Sequence, residues 1–113
     1  MAIFYIWETV EFIIRLSNPN DDSKILEGNK NVIISFGQGS HVLNKEKGDK
    51  NVELDVENDI ITVFLSQEET GEFKPGSNVI VQINILYDES EERDTSTQVE
   101  IKPLDNLYRE VMN

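Results

Sequence analysis

Residues 78–87 read Asn-Val-Ile-Val-Gln-Ile-Asn-Ile-Leu-Tyr, and their alternation decides the fold class. Val79, Val81, Ile83, Ile85 and Tyr87 recur at every second position, the period at which side chains of an extended strand return to one face. This is the longest such run in the chain, so it is expected as a central strand. Upstream, Ile61, Val63 and Leu65 supply the inward set of another strand, while Ile60, Thr62 and Phe64 point the other way. An Asn58-Asp59 turn separates it from Val52, Leu54 and Val56, which alternate with Glu53, Asp55 and Glu57. Between these strands and 78–87, Ser66-Gln67-Glu68-Glu69 has the spacing of a capping box, in which the Ser hydroxyl and the Glu carboxylate each satisfy a free backbone N–H. Gly71 and Pro75-Gly76 follow closely and limit that helix to one or two turns.

Further toward the N-terminus, Val32, Ile34 and Phe36 alternate, Gly37-Gln38-Gly39 breaks the run, and His41, Val42 and Leu43 resume it as the second arm of a hairpin. Residues 17–31, SNPNDDSKILEGNKN, read as a long loop with an apolar pin at Ile25 and Leu26. The first sixteen residues, MAIFYIWETVEFIIRL, are the most apolar stretch. Glu8, Glu11 and Arg15 interrupt them, so they fit neither a signal peptide nor a membrane span. Val10, Phe12, Ile14 and Leu16 instead share one face of a strand, and residues 3–7 form either a separate short strand or an extended arm. Downstream, DESEE (88–92) is a charged hairpin loop, and Thr95 to Lys102 carries Val99 and Ile101 into a last strand that Pro103 is expected to stop.

About seven short strands, turn signals at close intervals and one short helical turn predict an all-β fold, an antiparallel immunoglobulin-like β-sandwich. A small barrel is the structural rival, because alternation does not distinguish closure from two packed sheets. The organisation predicted is a single domain over 1–103, with 1–7 as an N-terminal arm, followed by a C-terminal tail over 104–113. In that tail Leu104, Leu107, Tyr108, Val111 and Met112 recur at helical spacing. So short a helix needs a surface to lie against, either its own sandwich or a neighbouring subunit.

Composition excludes several functions. The chain has 22 Asp and Glu against 10 Lys and Arg, a formal charge of −12, with no basic cluster to neutralise phosphates, so direct nucleic-acid binding is not expected. Cysteine is absent, which removes a disulfide framework, thiolate metal sites and a Cys nucleophile. His41 is the single histidine and sits beside a hairpin turn, where an edge-strand role is expected. No HExxH, phosphate-binding Gly loop or GxSxG elbow is present. The acidic runs Asp21-Asp22, Asp88-Glu89 and Glu91-Glu92 match no calcium-loop spacing and read as solvated loops. No catalytic residue, metal ligand or cofactor is assigned, and the chain is expected not to be an enzyme.

Three runs carry a resemblance: Val32-Ile-Ile-Ser-Phe-Gly-Gln-Gly-Ser-His-Val-Leu43, then the corner Ser66-Gln67-Glu68-Glu69-Thr70, then the strand Val81-Gln82-Ile83-Asn84-Ile85-Leu86. In this order they resemble small immunoglobulin-like β proteins encoded among phage and prophage structural genes, and they are similar to the N-terminal domain of phage baseplate upper proteins. The resemblance spans about residues 32–102. It implies a virion protein of the tail, baseplate or head, made in the bacterial host cytoplasm, without a cofactor. Such a protein would work by packing against copies of itself or other virion proteins. Phe4, Tyr5 and Trp7 at one end and Leu107, Tyr108 and Met112 at the other are the expected partner-contact residues, since aromatic anchors dominate interface energetics. A second reading takes the charge of −12 as the function: a small phage-encoded inhibitor whose carboxylates imitate nucleic-acid phosphates and block a host nuclease or polymerase. A carbohydrate-binding sandwich would want several exposed aromatics on one face, and most aromatics here alternate into core positions.

Overall fold

A computed structural model describes residues 2–17, 25–87 and 95–105 of the 113-residue chain. Among the described residues the elements are β1 (Ala2–Tyr5), β2 (Val10–Arg15), β3 (Asn29–Gln38), β4 (His41–Glu46), β5 (Val52–Asp55), β6 (Ile60–Leu65), α1 (Gln67–Gly71), β7 (Val79–Tyr87) and β8 (Thr95–Leu104). They form a five-stranded sheet in the order β1-β8-β7-β3-β4 and a three-stranded sheet in the order β2-β6-β5. The fold is an all-β sandwich with two separate sheets, not a closed barrel. Its order corresponds to strands G-F-C-C′ facing B-E-D of an immunoglobulin-like domain. One strand departs from that plan. β1 lies parallel to β8, pairing Ala2 with Ile101 and Tyr5 with Leu104, instead of flanking β2.

The alternating residues meet between the sheets. Val32, Ile34 and Phe36 of β3, Ile61, Val63 and Leu65 of β6, and Val79, Val81, Ile83 and Ile85 of β7 are all buried there. Each such side chain contributes roughly 1.5–3 kcal/mol by leaving water. β7 lies between β8 and β3, the central place its long alternation predicts. Pro103 does not end β8, which runs on to Leu104. Beyond Ile101 no β7 residue pairs with β8, so a missing N–H at Pro103 breaks no ladder on that side. The expected break at Gly37-Gln38-Gly39 is also narrower than the residues suggest: β3 continues through Gln38, which pairs with His41, and Gly39 (φ 61) and Ser40 make the turn.

Polar side chains fasten the connections. The expected capping box is formed: Ser66 Oγ accepts from Glu69 N–H at 3.2 Å, and Glu69 Oε1 accepts from Ser66 N–H at 2.9 Å. Lys45 on β4 makes an ion pair with the same Glu69. Burial alone would raise the Glu69 pKa, but the hydrogen bonds from Lys45 and Ser66 and the Lys45 charge outweigh it and hold the carboxyl below its usual value. Asp59, in the left-handed region at φ 55, accepts from the N–H groups of Ile25 and Leu26 at 2.9–3.1 Å. That clamp closes the long loop onto the β5–β6 turn and holds Leu26 in the core. Tyr87 Oη donates to the Ile25 carbonyl beside it. Gln38 secures the turn before β7, with Nε2 donating to the carbonyls of Lys74 and Ser77 and Oε1 accepting from Lys74 N–H.

Candidate interaction surface

The five-stranded sheet has one face on the core and one outside. On β3 the outward positions are Asn31, Ile33, Ser35 and Gly37, and on β7 they are Ile80, Gln82, Asn84 and Leu86. None is charged, in a chain of which 28% is Asp, Glu, Lys or Arg. Cross-strand registry turns these residues into rows. Gly37 pairs with Val42 on one side and Ile80 on the other, so two apolar side chains, 55% and 44% exposed, flank a position with no side chain. The next row joins Gln98, Gln82, Ser35 and Asn44. Its amides and hydroxyl bond one another: Gln98 Nε2 donates to Gln82 Oε1 at 3.1 Å, and Ser35 Oγ donates to Asn44 Oδ1 at 2.7 Å.

Gly37 is informative because a strand interior ordinarily disfavours glycine, and where one persists another backbone or ligand often approaches closely. Nothing inside the sandwich demands it. A Cβ there would meet only the Ile80 carbonyl, at 4.0 Å, and its φ lies outside the left-handed region. The three-stranded sheet is also uncharged along its central strand, where β6 turns Ile60, Thr62 and Phe64 away from the core. Its outward or exposed positions include Glu11, Arg15, Glu53 and Asp55. On both sheets the charged side chains stand on the flanking strands: Glu11, Arg15, Glu53 and Asp55 on the three-stranded sheet, and Glu46, Glu100 and Lys102 on the strands outside the uncharged centre of β3 and β7.

The residues expected to make partner contacts separate on this scaffold. Tyr5 projects outward from β1 and is 45% exposed, beside an exposed Ile3. Phe4 does not: it is 3% exposed and packs edge-on against Phe12 and Phe73, each at 6.0 Å between centroids. The physical reason is alternation, which turns every second residue of β1 into the core; the aromatic cluster is split by strand geometry and Phe4 is a core residue rather than a contact anchor. Trp7 is half-buried, at φ 65, with its ring against Gly71. Leu107, Tyr108 and Met112 lie outside the described residues. Ile80, Gly37 and Val42 were not singled out from the sequence. The signal was present in the outward half of each alternating strand, which attention to the inward half passes over.

Elsewhere the chemistry is sparse. His41, on edge strand β4, packs edge-on against Phe73 at 5.0 Å, and its Nε2 is buried without a hydrogen-bond partner among the described residues. Among those residues no three His, Asp or Glu side chains converge as a metal site would require. In comparisons with known proteins, no family model matches the chain, and no curated protein or solved structure shows significant similarity to it.

Proposed function

We propose that this protein is a non-enzymatic structural or assembly component of a phage virion, a sandwich module of tail, baseplate or head that packs through the outer face of its five-stranded sheet. Copies of itself, or other virion proteins, are the partners. The observation that carries the reading is the uncharged band over β3 and β7, with Gly37 between Ile80 and Val42. Interface cores are depleted in charge, and this band fits that composition. Ile3 and Tyr5 on edge strand β1 add two exposed apolar side chains, set apart from the band by Glu100 and Lys102 of β8. The resemblance of residues 32–102 to phage structural proteins supports the same class.

Mass in solution, measured by light scattering behind a sizing column at low and high salt, tests this. The expected result is an oligomer that survives high salt and falls to monomer in Gly37→Glu, which puts a charge into the band without meeting a neighbour. An unchanged mass for Gly37→Glu would remove this face from the interface. The second reading, an acidic nucleic-acid mimic, draws on the carboxylates Glu11, Glu53 and Asp55 around the three-stranded sheet. A monomer at both salts that captures a basic nuclease or polymerase, and releases it as salt rises, would replace the first reading with this one.

A further inference from the structure

In the B-E-D layer of an immunoglobulin-like domain the first strand usually flanks B. Here β1 has gone to β8, which leaves a groove of about 350 Å³ beside Phe12, Ile14 and Val99 and makes β1 the outermost strand of the wider layer. The two sheets have four edge strands: β1, β4, β2 and β5. Exposed sheet edges recruit further strands, and charged side chains are a common defence against it. β2 displays Glu11 and Arg15, β4 displays Glu46, and β5 displays Glu53 and Asp55. β1 displays Ile3 and Tyr5, 54% and 45% exposed, and none of its residues is charged.

The backbone of β1 is aimed to match. Ile6 N–H donates to the Leu104 carbonyl at 3.1 Å, so residues of that parity in β1, Phe4 among them, turn their N–H and C=O groups toward β8. Ile3 and Tyr5, of the other parity, turn theirs to the outer edge, and among the described residues no strand pairs there. The strand is also self-complementary. When a second β1 runs antiparallel with its Phe4 opposite Phe4, Ile3 of each copy faces Tyr5 of the other. Both are then hydrogen-bonded pairs, which exchange two N–H···O bonds each. The registry with β8 sets Lys102 beside Ile3 and Leu104 beside Tyr5, so Ile3, Tyr5 and half-buried Leu104 of each copy would form one apolar patch across the seam. Neither β1 nor residues 101–104 of β8 contain a carboxylate, which matters between chains that each carry a charge of −12.

We propose that two copies of this chain pair edge to edge through β1, antiparallel about a two-fold axis at Phe4, and so join their five-stranded sheets into one continuous sheet. The contact is separate from the uncharged face of β3 and β7 and does not depend on it. So few hydrogen bonds leave little after the cost of association. The pairing is therefore weak at the micromolar concentrations of a sizing column, and it forms at millimolar concentration or between copies that an assembly already holds side by side.

The chain lacks cysteine, so disulfides can read the registry. Ile3→Cys and Tyr5→Cys would be made separately in a full-length Gly37→Glu background, which removes the sheet face from the association, then mixed at millimolar concentration and oxidised. Circular dichroism checks folding. A hydrogen-bonded antiparallel pair holds its Cα atoms about 5.5 Å apart, within disulfide range. Disulfides between an Ile3→Cys and a Tyr5→Cys chain should form at least about ten-fold faster than those of Val42→Cys, a similarly exposed position on edge strand β4, and should outnumber disulfides between two chains of one kind. A second measurement leaves β1 unaltered: in Gly37→Glu alone, amide exchange at Ile3 and Tyr5 should slow as the protein rises from micromolar to millimolar concentration, while Phe4, whose N–H faces β8, stays the same. Mixed disulfides no faster than the Val42→Cys control, a preference for chains of one kind, or exchange at Ile3 and Tyr5 independent of concentration would each overturn the proposal.

Discussion

Replacing Gly71 by alanine should destabilise the sandwich through one identifiable collision. A Cβ at Gly71 would lie 2.5–2.6 Å from Cε3, Cζ3 and Cδ2 of Trp7, about 1 Å inside ordinary contact. The ring has little freedom to retreat. The Trp7 backbone sits at φ 65, and the adjacent chain is tied to α1 by Thr70 Oγ1 donating to the Glu8 carbonyl at 2.8 Å. Overpacking of this kind costs about 1–3 kcal/mol. The gain in helix propensity on replacing Gly, about 0.5–1 kcal/mol, offsets part of it, because Gly71 closes a helix of only five residues. The net expectation is a loss of about 1–2 kcal/mol, roughly a 4–8 °C fall in Tm for a domain of this size. Urea unfolding followed by fluorescence reports on the collision directly, since Trp7 is the single tryptophan. In a Trp7→Leu background, followed by circular dichroism, the same change should become neutral or stabilising, giving a coupling energy of about 1 kcal/mol or more. Equal stability and unchanged emission for Gly71→Ala, or additivity with Trp7→Leu, would refute the reasoning.

Glu69 should produce a definite pH dependence: its folded pKa is lowered from 4.5, so its stabilisation is present above the unfolded value and is lost as pH falls through the folded one. Glu69→Gln keeps a capping partner but removes the titration, so the gap in Tm between wild type and variant should be widest near neutrality and narrow below pH 4.5; a constant gap would contradict this. Asp59→Ala should cost about 2–4 kcal/mol in urea unfolding, because two amides lose their acceptor and a left-handed backbone receives a Cβ without a compensating side chain. Asp59→Asn should cost distinctly less, and equal losses would argue that the clamp is unimportant. Phe4→Ala should cost about 3–5 kcal/mol as a core cavity, whereas Tyr5→Ala should leave stability within about 1 kcal/mol and weaken association instead. The reverse pattern in paired unfolding and sizing experiments would invert the assignment of the two neighbours.

Local chemistry made several elements readable. The inward sets of β2, β6 and β7, the Ser66–Glu69 capping box and the Asn58-Asp59 turn all depend on residues close in sequence, whose spacing matches the geometry they adopt. Even the pin at Leu26 was visible, as an apolar pair in a polar loop. Its clamp was not: Asp59 lies 33 residues from Leu26 in the chain, and nothing in the intervening spacing announces the bond. Pro103 misled for a related reason, since a proline ends a strand only where a neighbour needs its N–H, and neighbours are a property of the sheet.

The candidate surfaces divide in the same way. Alternation alone puts Ile80, Gln82 and Asn84 on one side of β7 and Tyr5 opposite Phe4 on β1, because successive side chains of a strand must point to opposite faces. Which face meets water, and which residues stand in line across it, required the registry that places Gly37 between Val42 and Ile80. Likewise, the residues of β1 specify a strand but not its neighbour. Pairing with β8 instead of β2 is a long-range choice made by competing sheet edges, and it alone leaves the groove beside Phe12, Ile14 and Val99 open. Periodicity is written in neighbouring residues; adjacency is settled by the packing of the whole chain.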